Sequence, residues 1–506
     1  MTFTASARTC AAELLSSFCP RRGFWLPTML AGILGLAVTA PDSRVLALTY
    51  DKVDEQADLF FNNLEFRPPL ADATGIYYNQ RIASLAYNIE RDGVVVLATG
   101  TTNSGVPISG VPQPLGLEAG RFSFYTDNGA TLALYQTGTV TSIGYQNITP
   151  LPLVRGGFAT TFLFGGGSPI GGGRVFMTEN YSSNSTSARW GGIFAWSNGV
   201  WSELVSAATT VPGTSLGPGD NPVTFRTYGS PACRSNNQVA FTATGKSNPD
   251  TNNAFFQSNG AYVWQAGGPV IRLLDTSMYL PGQPTEPITG FGAIVHDGSE
   301  AALTVAANGL SSSLVSIGVA SAARVWVDRF SIHPAPSPNY NWTSLQVVDY
   351  AQGRLLFTGD SQNIITPGAP TITGLYLIPA FGEAPVRLLD STMTLDGKGI
   401  LSVGARYPSL TGNSVACRVT FTNFSEAIYR INLSGTAAGP QITIVQSGTN
   451  AVLSWPLPAT AFQLEETAAL ASAVWGTVAS PLVTNALTVS VTVPATGRKF
   501  YRLRQL

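Results

Sequence analysis

Two histidines, His296 and His333, are the whole imidazole complement of the 506-residue chain. A serine–histidine–acid relay needs one of them to take the nucleophile's proton. His296 stands at a turn beside Asp297, His333 lies among prolines, and no Gly-x-Ser-x-Gly elbow accompanies either, so histidine-based hydrolysis is set aside. Two histidines without a cysteine pair also make no transition-metal site, and no metal or cofactor is expected. The glycine run at 165–173 lacks the lysine and the following helix of a phosphate loop. Carboxylates remain: Glu203, Asp275, Glu286, Asp328, Asp349, Asp360 and Asp390. A glycoside hydrolase or polysaccharide lyase needs only two acids at the right separation, so loop carboxylates carry the enzymatic alternative. Asp275 and Asp390, however, recur at one repeat position, and Asp328 approximately does so. Recurrence is the mark of a turn cap, whereas catalysis uses a residue once. No residue is singled out as catalytic.

The elements that would position these groups are repeats. An Arg-Leu-Leu-Asp segment opens at Arg272 and again at Arg387, 115 residues later, which reads as two units. A turn pair followed by three apolar positions ends at Phe241 and Phe357, and in looser copies at Leu97, Met177, Leu303 and Cys417. Second strand pairs follow most copies, for example around Trp196 and Trp201, or Trp264 and Leu274. Period-2 apolar patterning with Gly/Asn turns predicts three or four short strands per unit. Such a unit cannot cover both faces of its sheet alone, so neighbours must stack. The expected fold is all-β, a β-propeller of six blades over residues 48–437; a linear β-solenoid is the competing arrangement. The segment from Leu46 to Phe61 is expected to supply a strand that closes the ring. Asp127 with Asn128 and Gly129 reads as a hairpin turn. Loops at 150–173, 212–222 and 333–341 are where a ligand surface would be built.

Composition sets the address and removes some partners. Only 11% of residues are charged, against about 25% in soluble proteins, while 44% are hydrophobic, which argues for a packed core rather than disorder. Net charge is −1 and the lysines are four (Lys52, Lys246, Lys398, Lys499), so no basic field exists for nucleic acid. Arg21 and Arg22 precede an apolar run from Phe24 to Ala40, with small residues to Ala47. These are the parts of a signal peptide over residues 1–47, and the mature chain is expected outside the cytoplasm: secreted, periplasmic or on the cell surface. The run is short for a membrane span, and no other stretch approaches one. Cys233 and Cys417 are the cysteines beyond that segment; their spacing makes no disulfide framework and leaves their pairing open.

The Phe241 copy, with its Asn-Gln-Val-Ala-Phe ending and the Leu-Leu-Asp segment behind it, resembles the tandem NxxGxxAF repeats of secreted bacterial proteins, which are propeller-like. The resemblance spans about residues 80–435 and implies no reaction and no catalytic residues. Residues 438–506 change character: six to seven alternating segments, among them Ala451–Trp455 and Leu487–Val493, predict a small β-sandwich. Ending in Phe500, Tyr501, Arg502, Leu503 and Arg504, this part resembles the Ig/fibronectin type III-like modules of exported bacterial proteins. Trp455 and Trp475 are expected in its core. The resulting expectation is a non-enzymatic binding or structural protein of the cell envelope or exterior, with a glycan, protein or envelope component as partner. The ligand and the oligomeric state are not legible.

Overall fold

The computed structural model describes residues 47–505 apart from 57–65, 84–85, 128–129, 146–168, 183–188, 215–221, 235–236, 247–257, 308–310, 332, 335–339, 367, 435–441, 457–461, 469–474, 485–487 and 496–498. The expected signal segment before Ala47, the first part of the glycine run (165–168) and most of the loops at 150–173, 212–222 and 333–341 therefore lie outside the described residues. Among the described residues there is no helix, and no membrane-spanning helix.

Alternation of buried and exposed side chains makes each strand one-faced or two-faced, and two-faced strands dominate here. Phe241 and Phe357, the best-marked repeat positions, are fully buried, and so are the two residues before each, so both faces of these strands are covered. Such strands need cover on both sheet faces, and a ring of stacked sheets supplies it. Among the described residues seven antiparallel sheets make the ring, each with strands a to d from the channel outward, and a two-stranded ribbon of Thr102–Asn103 and Val106–Pro107 lies between the first two in sequence. Blade 1 comprises Leu70–Asp72, Gly75–Ala83, Ala86–Arg91 and Val94–Leu97. Blade 2 comprises Gln113–Glu118, Arg121–Thr126, Thr131–Gln136 and Thr139–Tyr145. Blades 3 and 4 open with Ile170–Gly171 and Thr224–Tyr228 and end with Val200–Val205 and Ile271–Asp275. Blades 5 and 6 open with Gln283–His296 and Tyr340–Ala351 and end with Arg324–Val327 and Val386–Asp390.

Blade 7 is built from both ends of the domain. Ser414–Phe421 and Glu426–Ser434 are its strands b and c, and Ala47–Gln56 pairs with Glu426–Ser434 as strand d, from Ala47↔Ser434 to Gln56↔Glu426. The segment expected to close the ring does so. Neighbouring blades pack in circular order, with strand a of blade 7 (Lys398–Gly404, continued by Leu410–Thr411) lying against strand a of blade 1.

The expected six blades become seven. Met177, Phe241, Leu303, Phe357 and Cys417 all fall on strands b, of blades 3 to 7, but Leu97 ends strand d of blade 1. The strands b of blades 1 and 2 carry Ile76, Tyr77 and Tyr78, and Phe122, Ser123 and Phe124; tyrosines in blade 1 and a serine in blade 2 stand in the three apolar positions, so the pattern passes over them. Blade 2 thus hid inside the long gap between Leu97 and Met177. The Arg-Leu-Leu-Asp copies are strands d of blades 4 and 6, two blades apart as their separation implied. Glycine marks the same repeat one strand inward: a Cβ on Gly260 or Gly374 would stand 2.7 or 2.8 Å from the hydroxyl of Tyr262 or Tyr376 respectively.

Residues 442–505 form two further sheets of four and three strands, packed over Leu453, Trp455, Leu464, Val489, Val491 and Val493. Trp455 is buried in that core, whereas Trp475 is half-buried with the Arg502 guanidinium 4.3 Å from its ring centroid.

Candidate functional site: a plugged channel

Strand a of blade 7 is interrupted. Lys398–Gly404 pairs with strand b up to Gly404↔Arg418, and pairing resumes at Leu410↔Val415, so residues 405–409 stand opposite only 416–417. The surplus chain crosses the channel. Arg406 Nη1 donates to Pro114 O on blade 2 (3.3 Å). Tyr407 Oη lies 2.7 Å from both Cys233 O of blade 4 and His296 O of blade 5. Ala71 N of blade 1 donates to Pro408 O (2.8 Å), and Ser409 N and Leu410 N donate to Asp349 Oδ2 of blade 6 (2.8 and 2.7 Å). Five blades thus hold one short segment. In front of this plug, on the face carrying the a–b turns, a cavity of ≈ 180 Å³ remains, lined by Asp72, Glu118, Cys233, Arg234, Tyr407 and Pro408 among others.

The acids at this mouth are committed to the ring. Asp349 is fully buried; besides the two plug amides it accepts Tyr350 N (2.7 Å) and two bonds from Arg234 Nη2 (2.7 and 2.8 Å). Burial opposes the charge on Arg234, but Asp349 and Tyr407 together hold its pKa above the ordinary arginine value. Asp72 Oδ1 accepts Thr74 N and Oγ1 (2.7 and 2.5 Å), and its Oδ2 accepts Gly120 N of blade 2 (2.8 Å). Glu118 accepts Gly172 N and Gly173 N of blade 3 (2.6 and 3.0 Å) and pairs with Arg121. Each carboxylate thereby clips its blade to a neighbour, using charge-assisted bonds to backbone amides.

The sequence-derived candidates are scattered. Asp275 Oδ1 accepts Ser277 N and Oγ (2.9 and 2.5 Å), and Asp390 Oδ1 accepts Thr392 N and Oγ1 (2.9 and 2.6 Å). Arg272 and Arg387 pair with them at 2.7 and 3.3 Å, and Asp328 accepts Phe330 N and Ser331 Oγ (3.0 and 2.8 Å). All three are turn caps. Glu286 faces Arg329 (3.6 Å), Glu203 sits on the outer strand of blade 3, and Asp360 on strand b of blade 6. Of this set, Asp349 alone reaches the channel cluster.

Both histidines are buried. His296 Nδ1 accepts Gly298 N (3.0 Å), and its Nε2 has no hydrogen-bond partner among the described residues. His333 packs on Trp342 with ring centroids 4.2 Å apart. Burial pushes each pKa down to about 4. Cys233 and Cys417 are free, buried thiols, raised by burial well above the usual value for Cys233 and to about 12 for Cys417, which makes neither a nucleophile.

Sequence reasoning missed one carboxyl pair. Asp54 on the closing strand and Glu90 on blade 1 both lie 3.2 Å from Tyr78 Oη. Burial first, and in Glu90 also the charge of Asp54, raises both carboxyls above their ordinary range. One tyrosine proton cannot serve two anions, so the arrangement favours retaining a proton at this seam.

No family model matches the chain, and no curated protein matches it. Among solved structures it is similar to oligogalacturonate lyase from Vibrio parahaemolyticus, with 11% identity, 78% of this chain and 99% of that chain covered, and a TM-score of 0.43. It is similar also to puromycin hydrolase, with 12% identity, 80% of this chain and 61% of that chain covered, and a TM-score of 0.42. Aleuria aurantia lectin gives 12% identity, 64% and 89% coverage, and a TM-score of 0.27. Likeness of this degree says nothing about chemistry at the channel; the protein is an all-β propeller by its own strand pairing, with sheets closed into a ring by its first described strand.

Proposed function

We propose that the chain is a non-enzymatic binding or structural protein of the cell envelope or exterior, whose propeller meets a glycan, protein or envelope component at its front face. The observation that supports this reading is the saturation of the front acids. A general acid or nucleophile must aim a proton or lone pair at substrate. Asp349, Asp72 and Glu118 turn theirs into backbone amides of the ring. Beside the mouth, a groove of ≈ 620 Å³ between blades 7 and 1 is lined by Asp72, Thr74, Gln352, Thr411, Ser414 and Arg430. Hydroxyl, amide and charged groups suit a polar, hydroxylated partner better than an apolar one. The address outside the cytoplasm rests on the reading of residues 1–47 as a signal peptide, and fusing them to a reporter enzyme active only after export tests it.

The binding reading is tested with residues 48–506 and a panel of neutral and acidic polysaccharides, measuring retardation in affinity gels and release of new reducing or unsaturated ends. Retardation without product, lost in Ser414→Trp, is the expected result. Product from any substrate would establish the carbohydrate-active alternative instead.

A further inference from the structure

Behind the plug the channel carries positive charge with little to balance it. Arg67 precedes strand a of blade 1, Arg406 belongs to the plug, and Arg418 lies on strand b of blade 7. The backbone at Gly404, two residues before Arg406, approaches Arg418 and the residue after Arg67: a Cβ there would stand 3.4 Å from Pro68 Cγ and 3.5 Å from Arg418 Nη2. Arg67 is within electrostatic reach of both Arg406 and Arg418. Their contacts are mostly neutral. Arg406 Nη1 donates to Pro114 O (3.3 Å), Arg418 Nη1 donates to Phe66 O (3.0 Å), and the Arg67 guanidinium lies 5.9 Å from the Tyr87 ring centroid. The nearest acid, Glu426, is 4.0 Å from Arg418 Nη1, and its oxygens already accept Phe66 N (2.9 Å) and Thr420 Oγ1 (3.0 Å). Nε of Arg67 and Nε of Arg418 are buried without a hydrogen-bond partner among the described residues. Burial pushes the Arg406 pKa down to about 10; Tyr125 opposes the shift and the Arg67 charge adds to it.

A guanidinium at that value is still charged at neutral pH, so the folded chain bears both desolvation and like-charge repulsion. Packing alone gives no reason to keep three such groups, since apolar side chains of similar volume fill a ring interior at less cost. Planar forks with unused N–H groups are, however, the geometry that grips an oxyanion. We propose that Arg67, Arg406 and Arg418 form an oxyanion site in the back half of the channel, taking a small, multiply charged ligand with carboxylate, sulfate or phosphate groups. The site stands apart from the front-face partner, because the plug lies between them and the two share no residue.

The test is thermal unfolding of residues 48–506 titrated with sulfate, phosphate and citrate, each against chloride at matched ionic strength. A ligand that binds only the folded state raises Tm with its concentration. A saturable rise with at least one of the three anions, absent in both Arg406→Gln and Arg67→Gln, is the expected result. In chloride alone the variants unfold no lower than the parent, because repulsion is relieved. Should Arg406→Gln fail to fold, Arg67→Gln carries the test, its side chain being outside the plug. Shifts equal to those of chloride, or shifts that persist in the variants, overturn the proposal. Polysaccharide retardation in the same variants reads the front face separately.

Discussion

At the front of the channel the acids face amides; at the back the arginines face carbonyls and one another. Asp349 collects three backbone amides and a guanidinium, whereas Arg406 has one carbonyl at 3.3 Å. The two halves lie on either side of the same five-residue excursion, so the difference is not one of fold. It separates charge that holds blades together from charge that the ring tolerates. The first kind is what a seven-membered ring needs at every junction, and Asp72, Glu118 and Asp349 supply it at three. The second kind has neutral carbonyls and one carboxylate 4.0 Å away as its partners, which leaves charge unbalanced, and the back half is therefore where a ligand is inferred.

If that division is right, substitutions on the two sides must differ in size. Asp349→Ala strands a largely buried arginine and three amides, and by the cost of breaking a buried pair it should destabilise by about 3–5 kcal/mol in denaturant unfolding. A loss below about 1 kcal/mol would mean that the junction is held elsewhere. Tyr407→Phe removes the donor shared by Cys233 O and His296 O, and leaving buried carbonyls unsatisfied should cost about 1–3 kcal/mol by the same measurement.

Acidity provides a comparison of opposite signs. His296 and His333 have folded-state values near 4, below the unfolded value of about 6.5, so their contribution is present above pH 6.5 and is lost as pH falls towards 4. Asp54 and Glu90 are raised instead, so the seam they form is favoured below the unfolded carboxylate range of about 4 and loses that contribution as pH rises through the folded values. Unfolding free energy measured against pH should therefore show Asp54→Asn as a gain concentrated at neutral pH and His296→Gln as a flattening on the acid side. Curves parallel to the parent for both would contradict the assignment. The smallest change is expected from Arg406→Gln without added anion, within about 0.5 kcal/mol of the parent, because losing its long bond to Pro114 O is offset by relief of burial and like-charge repulsion.

Much of this architecture can be read along the chain. Period-2 burial, Gly-rich turns and the twice-used Arg-Leu-Leu-Asp segment report local backbone geometry, and local geometry is what short-range sequence encodes. The turn-capping role of Asp275 and Asp390 was legible for that reason, since a carboxylate and the amide two residues on meet without help from the rest of the fold. Blade 2 was not legible, because its second strand carries Ser123 between Phe122 and Phe124, and that serine, although fully buried, breaks the run of three apolar positions by which the other copies are recognised.

The sequence by itself determined an all-β chain of stacked units and a closing strand near residue 47. Tertiary structure alone decided what the polar residues do. Asp349 meets Ser409 and Leu410 from 60 and 61 residues away, and Tyr407 meets Cys233 from 174. Only ring closure fixes such meetings, because each depends on the relative placement of blades and not on any local pattern. The same closure that gave the front acids their partners left Arg67, Arg406 and Arg418 with one nearby carboxylate, Glu426, among the described residues.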